Sequence, residues 1–340
     1  MRPRSRPALR HICCLIVLSL LFVTSVNAQA KKNRAQANKD RRAAASSPSC
    51  TSRTGLYCEM YGSGPPMLFI HGLGGSSYSW RFMKDPFKQN YQVILIDLLG
   101  EGKSPKPNDG NYSIIEQGEL IYQFIVEKNL RNLTLVGNSY GGAVSLLLSM
   151  RLVKERPSRL SKLVLIDSGG YPDHLPDYLK LLQTPGLGWL AVHLIPPKLQ
   201  IYIVLHKSYY DPCKITRKQI STYAKPIRER GGRHALLELA KGAIPAGICG
   251  YIEDYKTIKV PTLILWGDDD QVLPELIGCR LKYAIPYSTM EIINNAGHMP
   301  QEEEPDQVIC HIQKFLGVSV TCPTSRPPTC GIETNPCSPH

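Results

Sequence analysis

The sequence predicts an α/β fold: a mostly parallel central sheet with helices on both faces and an inserted helical lid. Three observations carry that prediction. Apolar runs of four to seven residues alternate with segments of helical period, the pattern of strands buried on both faces. Several of these runs end in glycine-rich turns. Between Asp167 and about Lys259 the alternation stops, and prolines from Pro172 to Pro245 cut the chain into short helical pieces. That suits a lid at about 168–258 better than further sheet units.

The N-terminus lies outside this pattern. Arg2, Arg4, Arg6 and Arg10 precede the apolar run Ile12 to Val23, and Val26-Asn27-Ala28 supplies a small-residue cleavage site. Residues 1–28 therefore read as a secretory signal peptide cleaved after Ala28, implying a secreted, periplasmic or lumenal protein without a stable membrane span. Residues 29–49 are Lys, Arg, Ala, Asn, Gln and Ser without apolar periodicity, a basic disordered linker. Four arginines of the first segment and the six basic residues of the second, set against Asp40, carry most of the +12 net charge. The chain from residue 50 onward is nearly balanced, so nucleic-acid binding finds no support.

The elements follow in order. Met67-Leu68-Phe69-Ile70 is a buried strand ending in His71-Gly72-Leu73-Gly74-Gly75, and Tyr91 to Ile96 is a second, ending at Asp97 and a turn to Ser104. Residues 113–128 have helical spacing. Leu133 to Val136 is the next strand, and a helix follows over roughly Tyr140 to Lys154. Leu163 to Ile166, Pro261 to Trp266 and Thr289 to Ile293 complete the strands, and a helix from about Pro305 to Leu316 closes the domain, residues 50–318. Residues 319–340 form a Cys- and Pro-rich tail.

Of 11 cysteines, Cys13 and Cys14 belong to the signal segment and nine remain, an odd number. An oxidising compartment allows disulfides, and Cys50 with Cys58 suits a small loop; the remaining connectivity stays open, with at least one thiol free or paired between chains. No cysteine or histidine spacing resembles a zinc site, and no H-E-x-x-H occurs. No metal and no cofactor is expected. Gly72-x-Gly74-x-x-Ser77 after a strand, with Asp97 ending the next, loosely imitates a dinucleotide fingerprint, but its third glycine is absent.

The chemistry concentrates at Gly137-Asn138-Ser139-Tyr140-Gly141-Gly142, between an apolar strand and a helix. A serine at the apex of so sharp a turn is exposed in a strained backbone conformation, and its neighbours two positions away must be glycine because strand and helix nearly touch. The helix N-terminus favours negative charge at the same place. A serine hydroxyl is a poor nucleophile until a base takes its proton, and His298, in Asn295-Ala296-Gly297-His298, is the candidate base. A carboxylate then fixes the imidazole tautomer; the candidates are Asp270, Asp268, Asp269 and, at the end of the preceding strand, Asp167.

With these motifs in this order, residues 56–318 resemble the lidded serine-hydrolase branch of the α/β-hydrolase fold superfamily. The resemblance implies Ser139, Asp270 and His298 as a catalytic triad, with Asp270 preferred for its position three residues after Gly267. It implies an oxyanion hole built from the backbone N–H groups of Leu73 and Tyr140. Asp97, Asp268 and His71 read as supports of their turns. The implied activity is hydrolysis of a carboxylic ester with a small or medium apolar acyl group, through an acyl-enzyme. The elbow also looks like that of C–C bond hydrolases of ring-cleavage products, but those usually carry Trp after the histidine, where this chain has Met299. An acyltransferase and a non-catalytic binder that keeps the triad are the other readings. The expected partner is a small-molecule ester, and the oligomeric state stays open.

Overall fold

A computed structural model describes residues 49–330 apart from Thr51; the expected signal peptide, nearly all of the linker and Cys337 lie outside the described residues. In chain order the strands are β1 (Ser49–Cys50), β2 (Cys58–Tyr61), β3 (Pro66–Ile70), β4 (Gln92–Ile96), β5 (Leu133–Asn138), β6 (Leu160–Ile166), β7 (Thr262–Gly267) and β8 (Ser288–Ile293). They form one sheet in the order β1-β2-β4-β3-β5-β6-β7-β8. β1, β2 and β4 pair antiparallel, and every other pairing is parallel. Ser49, assigned to the linker from sequence, begins β1. The sequence reading also passed over β2, because Cys58-Glu59-Met60-Tyr61 is buried only at its first residue and shows no apolar run.

Alternate residues of a strand face opposite ways, and the two faces of this sheet are separately covered. Leu68, Ile70, Leu135, Leu163, Leu165 and Trp266 point into one core, capped by α1 (Ile114–Glu127) and α2 (Tyr140–Glu155). Met67, Phe69, Val136, Val164, Ile166 and Leu265 point into the other, beneath Trp80, Phe87 and Val308. This is why the strands read as unbroken apolar runs.

Between β6 and β7 the chain leaves the sheet for the lid: α3 (Asp177–Gln183), α4 (Leu187–Leu194), α5 (Pro197–Ser208), α6 (Arg217–Arg228), α7 (Gly232–Lys241) and α8 (Ile248–Asp254). Pro196 and Pro197 start α5 where a missing N–H costs nothing. Thr216 and Gln219 close α6 with a reciprocal capping box. α9 (Glu275–Ala284) and α10 (Pro305–Phe315) complete the domain.

Three disulfides join described residues: Cys50–Cys58, Cys279–Cys330 and Cys310–Cys322. Cys249 is also disulfide-bonded, and Cys213 is an exposed free thiol. The last two pairs fasten the tail to α9 and α10, and Arg326 adds an ion pair of 2.7 Å to Glu275. Bonds of this kind persist outside the reducing cytosol.

Candidate active site

Each parallel strand from β3 to β8 delivers its residue to one end of the sheet, the carboxyl end where open α/β sheets bind ligands. β5 runs straight into Ser139, whose φ of 54° and ψ of −119° lie in a region that L-residues rarely occupy. The conformation persists because the neighbours leave no alternative. A Cβ at Gly137 would strike the Gly141 carbonyl and Ser145 Oγ, and one at Gly141 would strike the carbonyls of Ile70 and His71. Ser139 caps α2, a helix of 16 residues whose first N–H groups and positive end face the site.

The loop after β8 brings His298 back across the elbow. Its Nε2 lies 2.7 Å from Ser139 Oγ, and its Nδ1 lies 2.8 Å from Asp270 Oδ2. With a carboxylate at Nδ1, that nitrogen carries the proton and Nε2 is free to accept from the serine hydroxyl. Asp270 is itself held, since its Oδ1 accepts from Val272 N at 2.7 Å and Leu273 N at 3.0 Å. Its side chain is buried, as is that of His298.

The other three carboxylates do different work. Asp268 accepts from Ala296 N at 3.1 Å, and exposed Asp269 accepts from Gln271 Nε2 at 2.7 Å. Asp167 accepts from Gly267 N at 2.9 Å and ties β6 to β7. Burial, and then the neighbouring Asp270 charge, push its carboxyl well above the usual range. Asp167, Asp270 and His298 place ligand-type atoms within 4.8 Å of one another. Both ring nitrogens of His298 and both oxygens of Asp270 are already committed, which suits a proton relay rather than a cation.

His71 is buried, and its Nε2 accepts from Leu98 N at 3.1 Å. The neutral ring therefore carries its proton on Nδ1, which donates to Gly72 O at 2.9 Å. Burial lowers its pKa and keeps it neutral. Asp97 accepts from Ser77 N at 2.5 Å and Lys103 N at 2.7 Å. Glu101 accepts from Gly74 N, and burial with the nearby Asp97 charge lifts its carboxyl to about 8. These three side chains fix the loop that carries Leu73. Leu73, Ser139 and Tyr140 all border one cavity of about 90 Å³.

A second cavity of about 200 Å³ also borders Leu73 and Ser139, reaches His298, and is walled by lid residues such as Val192, Ile201, Val204 and Leu205 together with Met299. Both cavities are lined mainly by apolar side chains.

Several residues that shape the site were not singled out from sequence. Asn138 Nδ2 donates to His298 O at 3.2 Å and to Ile166 O at 3.0 Å, tying the histidine loop to the elbow. Ser208 O accepts from His298 N at 2.7 Å. Glu303 accepts from Gly297 N at 2.9 Å and Tyr210 N at 2.7 Å, and burial raises its carboxyl to about 7. Glu302, fully buried, pairs with Arg81 and Tyr223 and accepts from Tyr209 Oη at 3.1 Å and Gln219 Nε2 at 3.2 Å. The signal was present in Gln301-Glu302-Glu303-Glu304, but an acidic run before a helix ordinarily reads as a solvated first turn.

Residues 65–305 match the α/β hydrolase fold family. The chain is 29% identical to Lipase 3 of Moraxella sp. over 71% of its own length and 74% of that protein. Among solved structures, a meta-cleavage product hydrolase from Pseudomonas fluorescens aligns with a TM-score of 0.65 at 22% identity, covering 78% of this chain and 95% of that one. A serine hydrolase involved in carbazole degradation aligns with a TM-score of 0.66 at 25% identity, covering 80% and 99%.

Proposed function

The chain belongs to the α/β hydrolase fold family, and on that premise we propose that it is a serine hydrolase cleaving carboxylic esters whose acyl and alcohol parts are both apolar. The observation that carries this reading is the hydrogen-bonded row from Ser139 Oγ through His298 to Asp270, with steps of 2.7 Å and 2.8 Å. Relatives that include a lipase support the ester class.

In the first half-reaction Ser139 Oγ attacks the ester carbonyl while His298 Nε2 takes its proton, and the Asp270 carboxylate stabilises the imidazolium. The carbonyl oxygen becomes an oxyanion, received by the N–H groups of Leu73 and Tyr140; each such donor contributes about 3–4 kcal/mol in the transition state. His298 returns the proton to the departing alkoxide, leaving an acyl-serine. Water, deprotonated by the same histidine, then releases the acid. Two apolar cavities meeting at Ser139 favour an ester flanked on both sides by hydrocarbon, because a polar group buried there without a partner loses its hydration. Residues 1–28 direct the chain out of the cytosol in this reading, consistent with the disulfides.

A panel of nitrophenyl esters of increasing acyl length tests the proposal. Turnover is expected to rise from acetyl to a medium chain and to vanish in Ser139→Ala. Equal turnover by the two proteins would reject Ser139 as nucleophile, and a preference for charged acyl groups would reject the apolar substrate.

A further inference from the structure

The lid reverses the usual arrangement of a surface helix. α4 turns Gly188 and Val192 inward, while Leu187, Trp189, Leu190 and Leu194 face outward, Leu194 at 71% and Trp189 at 55% exposure. α5 buries Ile201 and Leu205 and exposes Leu199, Tyr202 and Ile203. A stable helix of a water-facing domain carries charge on such a face. Here α4 and α5 contain no Asp or Glu, and their formal charges come from Lys198 and Lys207.

We propose that the outer faces of α4 and α5 dock the lid onto a lipid bilayer bearing anionic headgroups. Three observations fit that partner. Leucines and isoleucine supply apolar depth, while Trp189, Tyr202 and Tyr210 have the amphipathic rings that settle at headgroup level. Exposed Lys198 and Lys207 on α5 meet anionic headgroups, and neither α4 nor α5 carries an acidic residue to oppose them. The two helices are together apolar enough to pass for a membrane span, but they are bent by 111° at Ile195-Pro196, and at 8 and 12 residues neither is long enough to cross a bilayer alone. A second copy of the chain is a poorer occupant, because a two-fold contact through this face gathers the lysines of both copies with no acidic residue on α4 or α5 to pair them.

The surface also leads into the site. Leu181 and Ile203 are both exposed and both line the larger cavity, so a docked lid turns an apolar path to Ser139 towards the lipid. The docking does not depend on the ester-hydrolase reading, because binding is measured without turnover.

The test is co-sedimentation of the full chain with vesicles of phosphatidylcholine, alone and mixed with phosphatidylglycerol, beside a Trp189→Gln, Leu194→Gln double variant. Neither of these residues lines a cavity at Ser139. The parent is expected to bind the anionic vesicles more tightly than the neutral ones, and the double variant to lose affinity by about tenfold or more. Turnover of a water-soluble ester should be unchanged between the two.

The parent reports independently of any variant. Of its three tryptophans, Trp80 and Trp266 are fully buried. Vesicles should therefore shift the emission to the blue through Trp189, and brominated lipid should quench it. Equal binding by parent and variant would assign the membrane contact to another part of the chain and overturn the proposal. So would failure of the parent to bind anionic vesicles, or a self-association that disappears in the variant.

Discussion

Asp167 and Asp270 are two neighbouring carboxyls with different partners, and their difference can be measured. Asp270 accepts from two backbone amides and from the imidazole, whereas Asp167 accepts from Gly267 N, and burial beside Asp270 pushes its pKa up. Asp270→Asn removes the acceptor that fixes the His298 tautomer, and kcat on a nitrophenyl ester should fall by about 10⁴-fold. Asp167→Asn keeps an acceptor for Gly267 N and leaves the row from Ser139 to Asp270 intact, so it should cost less than about tenfold. The reverse ranking would move the relay acid to the end of β6. Sequence narrowed the acid to four positions and preferred Asp270 by its distance from Gly267. It could not show that Asp268, Asp269 and Asp167 bond other groups, because that depends on where the β8 loop lands. Asn138 was missed for the same reason: its partners, Ile166 O and His298 O, lie 28 and 160 residues away.

At the scale of elements, the strands were legible because burial on both faces leaves few polar positions in their middles, and the elbow because steric crowding demands its glycines. The half-exposed β2 was not, since one buried residue in four gives no pattern. The lid was legible as proline-broken helix, but its attachment was not. Glu302 sits under it with Arg81, Tyr209, Gln219 and Tyr223, a buried polar cluster linking α5 and α6 to the loop after His298. Removing one member of a buried charge pair leaves the other without compensation. Glu302→Ala should therefore lower the unfolding free energy in denaturant titration by about 3–5 kcal/mol. It should also increase proteolysis within the lid. A change below about 0.5 kcal/mol would mean that the cluster does not hold the lid. The Cys279–Cys330 bond closes a loop of 51 residues onto α9, and chain entropy assigns it about 4 kcal/mol. A Cys279→Ser, Cys330→Ser protein should lose stability on that scale while keeping its turnover; unchanged stability would show that the tail adds no constraint.

For the whole molecule, the buried acids set the response to pH. Burial holds Glu101 at about 8 and Glu303 at about 7, above the 4.5 of an exposed glutamate. The folded chain thus keeps protons that the unfolded chain has released, and stability from a raised acid is lost as pH climbs through the folded value. His71, lowered by burial, acts in the opposite sense only up to its ordinary 6.5. Between pH 6.5 and 8 the melting temperature should therefore fall, each acid contributing at most about 1.4 kcal/mol per pH unit. Glu101→Gln should flatten the slope. A melting temperature that rises over this window would contradict the assignment.

All of these expectations meet at Ser139, and mass spectrometry of the chain after reaction with a fluorophosphonate tests the central claim most directly. The account predicts a single phosphonylated peptide, the one containing Ser139, formed quickly in the parent, far more slowly in His298→Ala and not at all in Ser139→Ala. Labelling at another residue, or at an undiminished rate without His298, would contradict it.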